Sequence, residues 1–326
     1  MPRTKPPAAS KNRPPNRNGA PTTFEVVDPV WLAKAIGITV AAALVCVYAT
    51  LCLLVYQGEW QLVLHPSHAI GRTPASEGLA YTDVHFGAAD TGQPRLTGWW
   101  VPAQSAAPTG AEPALQTMPK YGAYTVLYLH DGSGSLADTV PMAVRLHRAG
   151  LNVFAIDYRG FGASDASVHP SAARMAEDAA AALDYLTATR HIPARNVIPY
   201  GAGLGAALAA NLALAHPELP AVIVDNPDPD PAGTAVAAYG SHFIPVRLLF
   251  GEQFDSAAPI ASLKTPKLLI AGGPSTTDAT RPLSRMQSLF QHAASPRFTV
   301  TLPPGNYEVG YQTVLSRFLD QYLPAQ

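Results

Sequence analysis

Disulfide bonding is excluded for most of this chain, because its 2 cysteines, Cys46 and Cys52, both fall inside one apolar run. Cysteine usage therefore carries no information about redox compartment. Charge is scarce as well: charged side chains are 14% of the residues and the formal net charge is −1. That balance excludes the basic footprint of a nucleic-acid-binding surface. The 10 histidines are scattered singly, so no metal-ligand spacing is present and no cofactor is expected. No internal repeat is visible. Two absences are local and become important below. There is no serine between Tyr200 and Gly205, and no histidine follows His292.

What the chain does have is a long uncharged run, "AIGITVAAALVCVYATLCLLVY", over residues 35–56. At ~1.5 Å per residue it is long enough for a ~30 Å hydrocarbon layer. A cleaved signal peptide would have a shorter apolar core followed by a small-x-small site. The expected partner of residues 35–56 is thus the lipid bilayer. Arg3, Lys5, Lys11, Arg13, Arg17 and Lys34 precede the run, whereas Arg72 is the first basic side chain after it. This asymmetry predicts a cytoplasmic N-terminus and an extracytoplasmic (in a bacterium, periplasmic) remainder. Residues 1–30, proline-rich and basic, are expected to be a disordered tail. Residues 31–57 are expected to be a transmembrane helix, 58–78 a connector, and 79–326 a folded domain.

Within the domain, strand and helix patterns alternate. "YTDVHF" and "RLTGWWVP" read as an antiparallel pair. Strands are then expected at 123–130, 152–158, 196–200, 221–225, 266–272 and 297–303. Helices are expected at 137–149, 171–189, 204–215, 282–293 and 307–323. Repeated βα units imply an α/β fold with a mostly parallel central sheet and helices on both faces. Residues 226–260, opening with "NPDPDPAG", break the rhythm with turn chemistry and read as a lid-like excursion.

Four stretches resemble the α/β-hydrolase superfamily, more narrowly its membrane-anchored Bem46/ABHD-like serine hydrolases. They are "LYLHDGSGSLAD" (127–138), "DYRGFGASD" (157–165), "YGAGLG" (200–205) and "EQFDSAAPIASLKTPKLLIAG" (252–272). The connector's "LVLHPS" also looks like the segment after the anchor in that group. The resemblance implies a nucleophilic serine on a sharp strand-to-helix turn, an orienting acid, and a histidine base, in that chain order.

This sequence departs from the pattern at each decisive place. The turn is present, but Gly203 stands where the serine belongs. Asn306 or Tyr307 stands at the histidine position. Ser275 falls at the acid position on direct counting; a three-residue insertion puts Asp278 there, and "DATRP" then matches the family's Asp-x-x-x-Pro. His130, Asp131, Gly132, Ser133 and Leu204 correspond to the oxyanion and pocket loop, with Asp131 where glycine is usual. A fixed negative charge there opposes oxyanion stabilisation. Pro199 removes a backbone donor from a strand expected to be central. On this reading Gly203→Ser would fold at a cost of about 1–2 kcal/mol, since only a strained turn must accept a side chain.

Two rival readings share the same residues. "GAGLGA" (201–206), with Asp225 ending the next strand, also fits a dinucleotide fingerprint. That motif normally opens its domain, whereas here two βα units precede it. Alternatively, Ser133 or Ser135 beside His130, or Ser241 beside His242, would serve as a relocated catalytic pair in an active esterase or thioesterase. The preferred expectation is a catalytically degenerate, membrane-anchored α/β-hydrolase-fold protein that binds a small apolar or acyl ligand or a protein partner.

Overall fold

The computed structural model describes residues 28–69, 71–88, 94–103, 119–239, 245–251, 253–272, 283–303 and 307–324. The expected disordered tail lies almost entirely outside them. Contacts divide the chain into two units, Met1–Thr50 and Leu51–Gln326.

The first described helix, α1 (Pro29–Gln57), begins with Asp28, whose Oδ1 accepts the Val30 amide at 2.9 Å, and with proline at its first position. Both are start signals for a helix. None of its residues is buried, and an 18-residue window within it reaches a mean hydropathy of 2.6. It is long and apolar enough to cross a membrane.

The second unit is built on eight strands: β2 (Thr82–Ala88), β3 (Pro94–Val101), β4 (Thr125–Leu129), β6 (Asn152–Asp157), β7 (Val197–Ala202), β8 (Val222–Asp225), β9 (Lys267–Ala271) and β10 (Arg297–Thr301). Their order is β10-β9-β8-β7-β4-β6-β3-β2, parallel except where β3 pairs with β2 and β6. The central strands are apolar throughout because both faces are covered. Period-two alternation decides the face: Val126 and Tyr128 of β4 join one core, Leu127 and Leu129 the other. The first core takes Leu136, Val140 and Leu146 of α2 (Leu136–Arg148) and Tyr311, Leu315 and Phe318 of α9 (Tyr307–Tyr322). The second takes Met175, Ala179 and Ala182 of α3 (Ala172–Asp184), the alanine-rich face of α4 (Gly205–Ala215), and Met286 and Phe290 of α8 (Leu283–His292). The expected helix 171–189 ends in a wider turn, with π-type bonding over Tyr185–Thr189.

Three expectations are refined. Pro199 does lie in a central strand, but the ladder from β7 to β8 begins at Tyr200, one residue later. The excursion is more than turns: it carries α5 (Pro231–Tyr239), α6 (Val246–Leu249) and α7 (Ala257–Ser262). The connector is not a plain linker. Its His65–Pro66 (β1) pairs in parallel with Ser133–Gly134 (β5), and Leu64 beside it is 1% exposed.

Candidate functional site

The turn at the end of β7 keeps the shape of a nucleophile elbow. Gly203 has φ +57, a left-handed conformation that glycine adopts without penalty, and its amide donates to Asp225 O at 2.9 Å. The helix that follows packs very close to the sheet: a Cβ on Gly205 would stand 2.2 Å from Leu129 O. The small residues of "GAGLGA" are thus demanded by helix-on-sheet packing.

Asp131 sits at the C-terminal end of β4. Its Oδ1 accepts the Gly132 amide at 2.8 Å and the Leu204 amide at 2.8 Å. These two donors, one just after the elbow position and one from the loop after β4, are the pair that would stabilise an oxyanion in this fold. Here a carboxylate of the chain itself occupies them. A Cβ built on Gly203 would lie 2.2 Å from Asp131 Cγ, 2.3 Å from Oδ1 and 2.4 Å from Oδ2. The carboxyl group therefore fills the space that a side chain at residue 203 would need. A side chain at residue 203 therefore adds the displacement of this carboxyl group, the movable end of the Asp131 side chain, to the cost of Gly203→Ser.

His130 is 4% exposed and packs against the rings of Tyr158 and Phe161 at 4.6 and 5.2 Å. Its Nδ1 donates to Asp131 O at 2.6 Å. Its Nε2 is 3.8 Å from Asp157 Oδ1, beyond hydrogen-bond reach. Burial lowers the imidazole pKa and outweighs the opposing pull of Asp157, so the ring is neutral at neutral pH. Asp157, from the "DYRGFG" stretch, is 1% exposed and accepts the amides of Leu136 at 2.8 Å and Ala163 at 3.2 Å. It ties the loop after β4 to the loop after β6, and burial raises its carboxyl pKa.

Two of the rival residues, Ser135 and Asp225, are engaged elsewhere. Ser135 is 1% exposed, its Oγ donates to Ala69 O at 3.1 Å, and it caps α2 reciprocally with Asp138. Ser133 is exposed, and no described serine hydroxyl bonds to His130. Asp225 is 4% exposed, its Oδ2 accepts the Tyr200 hydroxyl at 2.6 Å and its Oδ1 accepts from Asn226 at 2.9 Å. That carboxylate faces the core rather than a ribose, and the helix amide a pyrophosphate would use already meets Asp131. Ser241, His242, Ser275, Asp278 and Asn306 lie outside the described residues. Among the described residues no cluster of three potential metal ligands occurs. A groove of about 570 Å³ lies between Pro229, Ala257, Ala258, Arg285 and Leu289, and none of the elbow residues lines it. The role of Asp131 as filler went unread in the sequence. The available signal was that two departures occur together, a side chain lost at residue 203 and one gained at residue 131.

The sheet order, the elbow and the paired amides define an α/β-hydrolase fold. The comparisons agree. The chain is 30% identical over 274 residues to the uncharacterized protein Rv2307c of Mycobacterium tuberculosis strain H37Rv, covering 83% of this chain and 88% of that one. It is 28% identical over 276 residues to the α/β hydrolase domain-containing protein WAV2 of Arabidopsis thaliana, covering 77% and 82%. Residues 123–245 match the family described as serine aminopeptidase, S33. Among solved structures, the Pyrococcus furiosus esterase Pf2001 superposes with a TM-score of 0.60 at 18% identity, over 80% of this chain and 98% of that one. This chain belongs to the α/β-hydrolase superfamily.

Proposed function

We propose that this protein is a membrane-anchored α/β-hydrolase-fold protein that has given up serine-triad acyl transfer and binds a small ligand or a protein partner. The observation that carries the reading is the Asp131 carboxylate seated on the Leu204 and Gly132 amides beside Gly203. Acyl transfer needs a nucleophile at residue 203 and an empty pair of donors for the tetrahedral oxyanion. Here the first has no side chain and the second is filled by a like charge. Placing an oxyanion ~4 Å from that carboxylate would cost about 4 kcal/mol at an effective dielectric of ~20. That charge also disfavours an anionic acyl ligand at this spot. The basic residues ahead of α1 support placing residues 58–326 outside the cytoplasm.

The test is labelling of the detergent-solubilised full chain with a fluorophosphonate probe, followed by p-nitrophenyl ester turnover. No labelling and no turnover above an inert protein is the expected result. Specific labelling mapped to Ser133, Ser135 or Ser241 would replace this reading with that of an active esterase. Tight calorimetric binding of NAD or FAD would instead favour a dinucleotide site.

A further inference from the structure

The eight-stranded sheet ends on β10, which among the described residues pairs only with β9. The register runs from Arg297 opposite Lys267 to Thr301 opposite Ala271. Lys267 N donates to Pro296 O at 3.3 Å, and Leu302 N donates to Ala271 O at 2.8 Å. In a parallel ladder every second residue turns both backbone groups towards a given neighbour. Residues 296, 298, 300 and 302 therefore bond to β9, and Arg297, Thr299 and Thr301 turn their N–H and C=O groups outward. All three are exposed. A groove of about 270 Å³ runs along this edge, between Gln287 and Gln291 of α8 and Thr299 and Thr301 of β10, so α8 leaves the edge open.

An open edge is a template for another strand, and natural edges are commonly blunted by charge, proline or a bulge. Arg297 is the one charged residue within β10, and its guanidinium turns back to donate to Ala293 O, just past α8. The next outward position after Thr301 is Pro303, which has no N–H and ends the row. The strand between these limits is self-complementary. Set antiparallel to a second copy with Thr299 opposite Thr299, it places Arg297 opposite the second copy's Thr301, and each facing pair exchanges two backbone bonds. Only this register sets all three outward residues against one another. Between them, Phe298 falls opposite the second copy's Val300, and Val300 opposite its Phe298. Both residues are half-buried against the core under α9, and an aromatic facing a β-branched residue is a favourable cross-strand pair. The two Arg297 side chains stand four residues apart along the ladder, roughly 13 Å at ~3.3 Å per residue. That exceeds the ~8 Å screening length of physiological salt.

We propose that β10 is a homodimer interface: two copies of this chain pair antiparallel along Arg297–Thr301, about a two-fold axis at Thr299, and join their eight-stranded sheets into one continuous sheet. The α8 helices of both copies then lie on one face of the joined sheet and the α9 helices on the other. The matched threonine row and the matched Phe298–Val300 pairs favour the strand's own copy over an unrelated peptide. The Asp131–Leu204 site lies between β4 and β7 at the middle of each sheet, away from the junction, so the pairing does not depend on whether that site is catalytic.

The experiment measures the mass of the detergent-solubilised full chain by light scattering, with bound detergent subtracted. The wild type should show near twice the 34.3 kDa of one chain. Thr299→Lys sets two ammonium groups opposite each other on the axis and should fall to the mass of a single chain. Thr299→Pro should do the same, because the amide it removes is unused within one copy. Thr299→Val keeps the backbone and the shape and should stay dimeric. A second measurement needs no destabilising change: with Cys46→Ala and Cys52→Ala, Thr299→Cys should be joined into dimers by a short bis-methanethiosulfonate, whereas Thr82→Cys on the opposite edge strand β2 should not. A wild type with the mass of one chain overturns the proposal. A dimer that persists in both Thr299→Lys and Thr299→Pro places the interface elsewhere, α1 included, and overturns it too. So does a Thr299→Cys thiol that reacts with neither the crosslinker nor a small maleimide, since another segment of the same chain would then cover the edge.

Discussion

Asp131 Oδ1 lies 2.8 Å from the Leu204 amide nitrogen, a residue 73 positions later in the chain. This contact converts an apparent vacancy at Gly203 into an occupied position. The cradle amides keep an anionic acceptor, so the elbow can hold its shape without a reacting ligand.

One consequence is a coupled pair of substitutions. Gly203→Ser alone drives Cβ into the Asp131 carboxyl group and is expected to destabilise the protein by about 2–3 kcal/mol. Asp131→Gly removes the obstacle, so the double variant should be more stable than additivity predicts by at least about 1 kcal/mol. Denaturant unfolding of the four proteins in a double-mutant cycle checks this. Additive effects would mean that residues 131 and 203 do not share one space.

Activity should follow the same logic. Gly203→Ser with Asn306→His restores a nucleophile and a base but leaves the oxyanion donors filled, so esterase turnover should stay at background. Adding Asp131→Gly opens them, and weak turnover of p-nitrophenyl acetate is expected only in the triple variant, because groups acting as a unit are strongly non-additive. Equal turnover with and without Asp131→Gly would remove the carboxylate from the explanation.

Asp157 is expected to matter for stability. Replacing it by alanine strands the buried amides of Leu136 and Ala163 and should cost about 2–4 kcal/mol. Circular-dichroism melting of Asp157→Ala would show a large drop in Tm, and an unchanged Tm would contradict the structural role assigned to this motif.

Lys267 supplies a pH dependence. It is fully buried at the start of β9, its Nζ donating to Leu263 O, Ala294 O and Pro296 O at 2.8, 2.8 and 3.1 Å. Burial, with Arg297 nearby, lowers its pKa from 10.5 to about 8. Between those values the unfolded chain binds more protons than the folded one, so stability should rise as pH climbs from about 8 towards 10. Lys267→Met loses three hydrogen bonds and should be less stable at neutral pH, yet its unfolding free energy should be flatter across that window. A wild-type curve that falls from pH 8 to 9.5 would refute the assignment.

Topology is checked by fusions after Gln326 in a bacterial host. Alkaline phosphatase should be active and green fluorescent protein dark. The reverse pattern would place the domain in the cytoplasm.

The alternation of apolar runs with helical periodicity was enough to place β4, β6, β7, β8 and α4 within a residue or two, because a strand covered on both faces must be apolar along its length. Gly203 itself was legible too, since a missing side chain is visible without coordinates. The excursion was less so. The turn at "NPDPDP" hid the short helices behind it: α7 packs on α4 and α8, α5 packs on α6, and Asp230 joins Arg247 of α6 to Arg285 of α8, contacts that no strong local pattern announces. What the sequence by itself determined is the set of secondary elements, their order, the apolar helix ahead of them and the absence of a serine at the elbow, all of which are local properties of side-chain type and spacing. What only the tertiary structure decided is where the carboxylate of Asp131 and the carbonyl of Asp225 go. Both meet the elbow because β4 and β8, separate from β7 in the chain, flank it in the sheet, and such contacts depend on sheet order and register, which no local pattern encodes.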